Sequence, residues 1–229
     1  MKKVAIFFRN KSIPNVFRNV ILKSLSSDFS KYIICSAFFQ HKYTDRGGRS
    51  RGEFNTSEEL LNALYAGRCY IKKDINIYGL YESGRWPRQY DSTCQHLFTE
   101  GCSSCMRFSF FKFKNKKSHA KIFIAKDSND NPKLAIIGSS NLSAGAFSNT
   151  TPRWNQECDV IFWDETDECA QDVMNTVLEY LGEEDRKMLF VTNYNEEENN
   201  SSLEKKLMNL EQQIINKELV NVYDVGSNF

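Results

Sequence analysis

Five residues in the second half of the chain carry functional groups that could act together on one bond. His119 and Lys121 stand two apart in SHAKIFIAK, Ser139 and Asn141 stand two apart in IIGSSNL, and Glu157 opens ECDVIF. On a strand, residues two apart leave by the same face, so His119 and Lys121 are presented to one side. A phosphodiester is a poor electrophile because its negative charge repels a nucleophile. A site for it needs positive donors and a strong nucleophile. Imidazole can attack phosphorus directly. A lysine amine, an asparagine amide and a serine hydroxyl can hold the non-bridging oxygens as charge grows on them. A carboxylate such as Glu157 can bind the second imidazole nitrogen, fixing its tautomer and supporting positive charge.

The elements around these residues explain how they could meet. Ala120 to Ala125 and Lys133 to Gly138 read as strands joined by the turn-forming DSNDNP, so they predict a hairpin that brings Ser139 and Asn141 back to the edge of His119. Gly138 allows close backbone approach, and Ser143-Ala-Gly-Ala predicts a helix start whose N–H groups face the site. Further strands are expected at KKVAIFF, YIICSAFF, DINIYGLY, Arg107 to Lys114 and Glu157 to Trp163. Thr56-Ser-Glu-Glu59 predicts a capping box before ELLNALYAG, with Gly67 closing that helix. Asp164 is expected to cap a helix carrying Cys169, Val173, Val177 and Tyr180, which Gly182 ends. Residues 82 to 105, with Gly84, Pro87 and a cysteine cluster, read as loop. Ser201-Ser-Leu-Glu204 predicts a second capping box and a helix striped by Leu203, Leu207, Leu210 and Ile214, packed on the parent domain or on a partner. The alternation predicts an α/β fold with a mixed sheet flanked by helices. The chain divides into a domain at 1–192 and an acidic connector with a C-terminal helix at 193–229.

The motif set resembles the phospholipase D superfamily, whose signature is H-x-K, a following acidic residue, G-S-x-N and a downstream Glu. The matching residues are His119, Lys121, Gly138, Ser139, Asn141 and Glu157, and the resemblance is sharp over about residues 118 to 163. The family's acidic residue follows the lysine after four positions; that place is Lys126 here, and the acid is Asp127, one later. The resemblance implies a phospholipase D-like fold and a phosphohistidine mechanism with two histidines, one as nucleophile and one as general acid. Larger family members carry two copies of the motif. This chain carries one, and His41 and His96 lie in no similar context. A symmetric homodimer would therefore complete the site with a second His119. No catalytic cofactor is expected, since Lys121 and Asn141 from both copies supply the electrostatic stabilisation.

Single-motif members are mostly nucleases, and KSHAKIFIAKD and IIGSSNLS resemble the restriction-type branch. The resemblance thus implies a DNA endonuclease, type II restriction enzymes included. A lipid phosphodiesterase or phosphatidyltransferase of the same superfamily, and a non-catalytic nucleic-acid binding module, stay open as alternatives. Arg46, Arg49 and Arg51 in one glycine-containing stretch, and Arg85 and Arg88 beside Trp86 in another, are candidate DNA contacts. Between Arg107 and Lys126 there are seven basic residues and no acidic one, whereas Glu183 to Glu211 holds eight acidic and four basic ones. That asymmetry, in a chain of net charge +1, favours a polyanion bound locally over a general polycation.

The 229 residues suffice for one large domain, and 41% hydrophobic with 26% charged residues is ordinary for a globular protein. No apolar run reaches the about 18 residues of a membrane helix, and the apolar run of MKKVAIFFRNKS ends too soon for a secretory signal. A cytoplasmic protein without a membrane partner is expected. Seven cysteines, an odd number, suit reduced thiols, with Cys35, Cys69, Cys158 and Cys169 at apparent core positions. Cys94, His96, Cys102 and Cys105 offer four ligands for a structural zinc, though the non-standard spacing favours unmetallated residues.

Overall fold

The computed structural model describes residues 1–11, 13–41, 54–79, 86–113, 119–149, 154–216 and the backbone of 219–221. The elements follow in the order β1 (Lys2–Arg9), α1 (Val16–Ser26), β2 (Lys31–Ser36), α2 (Thr56–Ala66), β3 (Lys73–Gly79), α3 (Trp86–Glu100), β4 (Met106–Phe113), β5 (Lys121–Lys126) and β6 (Pro132–Gly138). Then come α4 (Ala144–Phe147), β7 (Glu157–Asp164), α5 (Glu168–Glu179), α6 (Glu183–Arg186), β8 (Leu189–Asn193), α7 (Glu196–Asn199), α8 (Leu203–Ile215) and β9 (Leu219–Asn221). The described strands form one mixed sheet in the order β8-β1-β7-β6-β5-β2-β3-β4-β9. The pairs β2–β3 and β3–β4 are parallel, and the others are antiparallel. The expected α/β class with a mixed sheet is what the chain adopts.

Two apolar layers cover this sheet. On one face, Ala5, Phe7, Ile34, Ile77, Phe123, Ile136 and Ile161 pack with the buried sides of α1, α2, α3 and α5. On the other, Ile33, Cys35, Ile122, Ile124 and Ala135 receive Leu203, Leu207 and Ile214 of α8. Each of those three side chains contributes roughly 1.5–3 kcal/mol by burial. The C-terminal helix thus lies on the sheet of its own chain. Lys126, only 2% exposed, reinforces it through a 2.7 Å ion pair with Glu211 on α8.

Three local readings differ from the sequence expectation. Trp86–Glu100 is a helix, not a loop: Tyr90, Thr93, Cys94 and Leu97 recur at helical spacing and are buried, and Pro87 sits in the first turn, where a missing N–H costs nothing. The helix caps are shifted. Asn55 rather than Thr56 caps α2, Ser202 rather than Ser201 caps α8, and Asp167 caps α5. Asp164 instead accepts hydrogen bonds from the Thr166 backbone and hydroxyl and pairs with Lys2. Finally, Cys69 and Cys158 are exposed rather than core thiols.

Candidate active site

The strand directions decide what meets at one edge of the sheet. β5 and β7 begin there, whereas β1, β2 and β6 end there, because all their neighbouring pairs except β2–β3 run antiparallel. Register does the rest: Lys121 pairs Gly138, Gly138 pairs Asp159, and Arg9 pairs Glu157. Lys121, Ser139 and Glu157 are therefore gathered across three adjacent strands, although 36 residues of sequence separate the first from the last.

The hairpin that makes this possible is closed at its far end by Asp127. Its Oδ1 accepts the backbone N–H groups of Asn129 and Asn131, both at 2.9 Å, and Asp130 takes a left-handed φ of 70°. The register shifts by a bulge between Ala125 and Lys126. Ala125 faces Leu134 and Lys126 faces Pro132, so the extra residue is Lys133, on β6. Asp127 holds a turn, and its carboxyl, hydrogen-bonded by Asn131 and Asn129, lies below the usual range even against the opposing effect of burial.

His119 stands just before β5 with its side chain exposed. Lys121 is half-buried; burial lowers its amine pKa, and the charge of Glu157 works against that shift. Glu157 is buried at the head of β7. Its carboxylate accepts from the Ser139 hydroxyl and, at 3.1 Å, from the Asn155 amide. Ser139 Oγ in turn accepts from the Cys158 N–H at 3.0 Å. Asn141 is fixed from behind: its Oδ1 accepts the Phe38 N–H at 3.2 Å and lies 3.4 Å from the Ser36 hydroxyl. Since a backbone N–H can only donate, that oxygen assignment is forced, and the amide Nδ2 carries the donors. Of the five residues read from the motif, Lys121, Ser139, Asn141 and Glu157 converge on this edge, with His119 beside Lys121.

Two residues that the motif reading passed over hold this arrangement. Asp159, two after Glu157 and buried, accepts from the Ser140 backbone at 3.2 Å and from its hydroxyl at 2.6 Å, which fixes the turn between Gly138 and Asn141. Burial raises its carboxyl to about 6. Arg9, at the end of β1, donates to the carbonyls of Gly145, Ala146 and Ser148 and so ties α4 to the sheet. Burial lowers its pKa, with Glu157 and Asp159 acting in the opposite direction. The alternation E-x-D after the motif could have signalled Asp159; nothing local signals Arg9. Of the expected N–H groups at the start of α4, that of Ala144 is taken by Gln40 Oε1 at 2.9 Å and those of Ala146 and Phe147 by the Ser143 carbonyl.

The proposed substrate contacts Arg46, Arg49, Arg51 and Arg85 lie outside the described residues, while Arg88 is exposed in the first turn of α3. The four expected zinc ligands do not converge. Cys94 is buried in the core, with burial pushing its thiol up to about 12, and the His96 ring lies 5.5 Å from that of His41. Cys105 is buried as well, whereas the Cys102 sulfur lies 3.0 Å from the Ser104 hydroxyl. Among the described residues no group of three or more His, Cys, Asp or Glu side chains is placed to hold a metal ion. No described helix is long and apolar enough to cross a membrane.

Fold and site together define the class: a mixed α/β domain with a lysine, a fixed amide and a hydroxyl–carboxylate pair gathered at one sheet edge. No protein-family model and no curated protein matches the chain. Among solved structures it is similar to NucT from Helicobacter pylori, at 18% identity and a TM-score of 0.45 over 82% of this chain and 96% of that one. It is also similar to phosphatidylserine synthase from Haemophilus influenzae Rd KW20, at 13% identity and a TM-score of 0.48, covering 94% of this chain and 46% of the synthase. A yeast tyrosyl-DNA phosphodiesterase is similar at 13% identity and a TM-score of 0.40, covering 70% of this chain and 46% of that enzyme.

Proposed function

We propose that the chain is a phosphodiesterase acting on DNA as an endonuclease, through a phosphohistidine formed on His119 in a composite site made by two copies. The observation that carries this reading is the convergence of Lys121, Ser139, Asn141 and Glu157 on one edge beside an exposed His119. A His119 nitrogen attacks phosphorus, and the bond to the leaving oxygen breaks as that oxygen takes a proton from His119 of the second copy. Water then attacks the phosphohistidine and gives its proton to the same second histidine. The phosphate monoester leaves, and both imidazoles return to their starting state. Lys121 and the Asn141 Nδ2 hold the non-bridging oxygens, in the role of oxyanion donors. Glu157 accepts from the Ser139 hydroxyl at the same edge.

A second copy is supported by the sheet face opposite α1 and α5. There Ile6, Phe8 and the cross-strand neighbour Phe190 are 41%, 36% and 67% exposed, and Phe8 directly precedes Arg9 at the site edge. An apolar strip of that kind suits an isologous contact.

The test is cleavage of supercoiled plasmid in excess EDTA by wild type and by His119→Ala, with phospholipid vesicles as a parallel substrate. Plasmid cleavage that survives EDTA and disappears in the alanine variant is expected. Discrete fragments would mark a restriction-type specificity, and a smear a general nuclease. Full activity of the alanine variant would overturn the mechanism, and turnover of vesicles alone would replace DNA by lipid.

A further inference from the structure

Between α3 and β4 the chain makes a tight turn, Cys102-Ser-Ser-Cys105, at the edge of the sheet opposite the site, where the parallel strands β2, β3 and β4 begin. The Cys102 carbonyl accepts the N–H groups of Cys105 at 3.2 Å and of Met106 at 2.8 Å. A turn brings its first and fourth Cα atoms within about 7 Å, and a disulfide spans about 4.4–6.8 Å between Cα atoms. The turn is held at both ends. A Cβ on Gly101 would lie 2.6 Å from the Leu97 carbonyl oxygen and 2.6 Å from the Phe108 ring, and the Cys105 carbonyl accepts the Lys73 N–H at 2.9 Å. The two thiols differ in their surroundings. Cys105 is buried, and burial pushes its thiol up to about 12. Cys102 is half-buried beside the exposed Ser103 and Ser104, with its sulfur 3.0 Å from the Ser104 hydroxyl. Hydrogen bonding by that hydroxyl, the largest cause, lowers the Cys102 thiol to about 7.

We propose that this turn is a reversible oxidation site, in which Cys102 meets a hydroperoxide and Cys105 closes a disulfide onto it. The thiolate is the reactive form of cysteine, so a thiol that is partly ionised near neutral pH and open to solvent is the one a peroxide finds first. The Cys102 thiolate attacks one peroxide oxygen and the O–O bond breaks. The departing oxide takes up the proton that Cys102 gave away on ionising, and Cys102 becomes a sulfenic acid. The Cys105 sulfur then attacks the Cys102 sulfur, the S–O bond breaks, and the hydroxide leaves as water with the Cys105 proton. Each sulfur has lost one electron, and the peroxide has gained both. Burial shields Cys105 from the oxidant without keeping it from Cys102, because the turn already holds the two residues together. Cys69 and Cys158 are exposed as well, but neither stands in a C-x2-C turn. A thiol of this chain can therefore report oxidant at a place remote from the strand ends that gather Lys121 and Glu157.

The experiment exposes the full, reduced chain to one equivalent of hydrogen peroxide at neutral pH, blocks the remaining thiols by alkylation and maps the peptides by mass spectrometry. Cys102 and Cys105 should be lost together, on a peptide lighter by two hydrogens, and both should return on treatment with dithiothreitol. Cys105→Ala, which keeps a small apolar group in the buried place, should stop the reaction at the sulfenic acid, trapped on Cys102 by dimedone. Cys102→Ser should leave Cys105 reduced after the same exposure. Ser104→Ala should slow the loss of the Cys102 thiol at neutral pH and not in alkali, where that thiol is ionised with or without the hydroxyl. Oxidation of Cys69 or Cys158 ahead of Cys102 would overturn the assignment. So would a Cys102 that passes to sulfinic acid, or pairs with another cysteine, while Cys105 stays reduced.

Discussion

Gly138 and Asp159 face each other across β6 and β7 so closely that a Cβ on residue 138 would stand 2.0 Å from Asp159 Oδ1 and 2.8 Å from Asp159 Cα. The glycine of the motif therefore makes room for the carboxyl that holds the Ser140 turn. Gly138→Ala should push Asp159 off both Ser140 bonds and shift Ser139 and Asn141 with them. The expected cost is about 1–3 kcal/mol, as for other overpacked sites, read by urea denaturation. Cleavage should fall further than that loss of stability accounts for. Unchanged cleavage in a stable alanine variant would show that the turn does not need this clearance.

Asp159 also gives the fold a pH dependence whose sign is set by burial. Its carboxyl titrates at about 6 in the folded chain, against 3.8 for the ordinary group. A raised acid favours the protonated folded state. That advantage is complete below pH 3.8 and is lost as the pH rises through about 6. Asp159→Asn can still accept the Ser140 N–H through its oxygen and donate to the hydroxyl, without the buried charge. Relative to wild type, the asparagine variant should gain stability between pH 4 and pH 7, by on the order of 2–3 kcal/mol. Chemical denaturation at a series of pH values measures the difference, and a flat difference across that window would contradict the assignment.

How much of this was legible in the chain depends on how local each signal is. The hairpin and its two motifs were legible because alternation, a polar turn and pairs at i and i+2 all lie within a few residues. Asp127 was legible as a turn residue, whereas the bulge that makes Lys133 the extra residue on β6 left no signal in the residue types. The helix α3 was misread because Gly84, Pro87 and the cluster of Cys94, Cys102 and Cys105 suggested a loop, although Tyr90, Cys94 and Leu97 already carried the helical period. For the same reason Cys94 looked like a ligand when it is a core residue. Arg9 could not be found, since its partners at Gly145, Ala146 and Ser148 lie about 140 residues away and are carbonyls, which leave no trace in side-chain type.

Asn141 separates binding from fold. Its oxygen serves Phe38, and its nitrogen is assigned to the phosphate. Asn141→Asp keeps the acceptor for Phe38 and replaces the donor by a negative charge. The fold should be retained, with kcat reduced by about 10²–10³, as when one oxyanion donor is removed. Near-wild-type turnover in this variant would remove Asn141 from the chemistry.

The far side of the sheet offers a test of whether α8 is part of the cooperative fold. Lys126 is almost fully buried, and its amine reaches Glu211 at 2.7 Å and Asp130 at 2.9 Å. Removing one partner of a buried pair leaves the other charge uncompensated, at a cost of about 3–5 kcal/mol. Glu211 retains some contact with solvent, so Lys126→Met should fall at or below the lower end of that range. Replacing both, as Lys126→Met with Glu211→Leu, removes the stranded charge and extends the apolar contact that Leu203, Leu207 and Ile214 already make. The double variant should recover most of the lost stability, giving a coupling that additive losses would contradict. If α8 unfolds together with the sheet, single and double variants should share one urea m-value. A separate early transition in the single variant, seen by helical circular dichroism before the tryptophan signal changes, would mean that the helix docks as an independent unit.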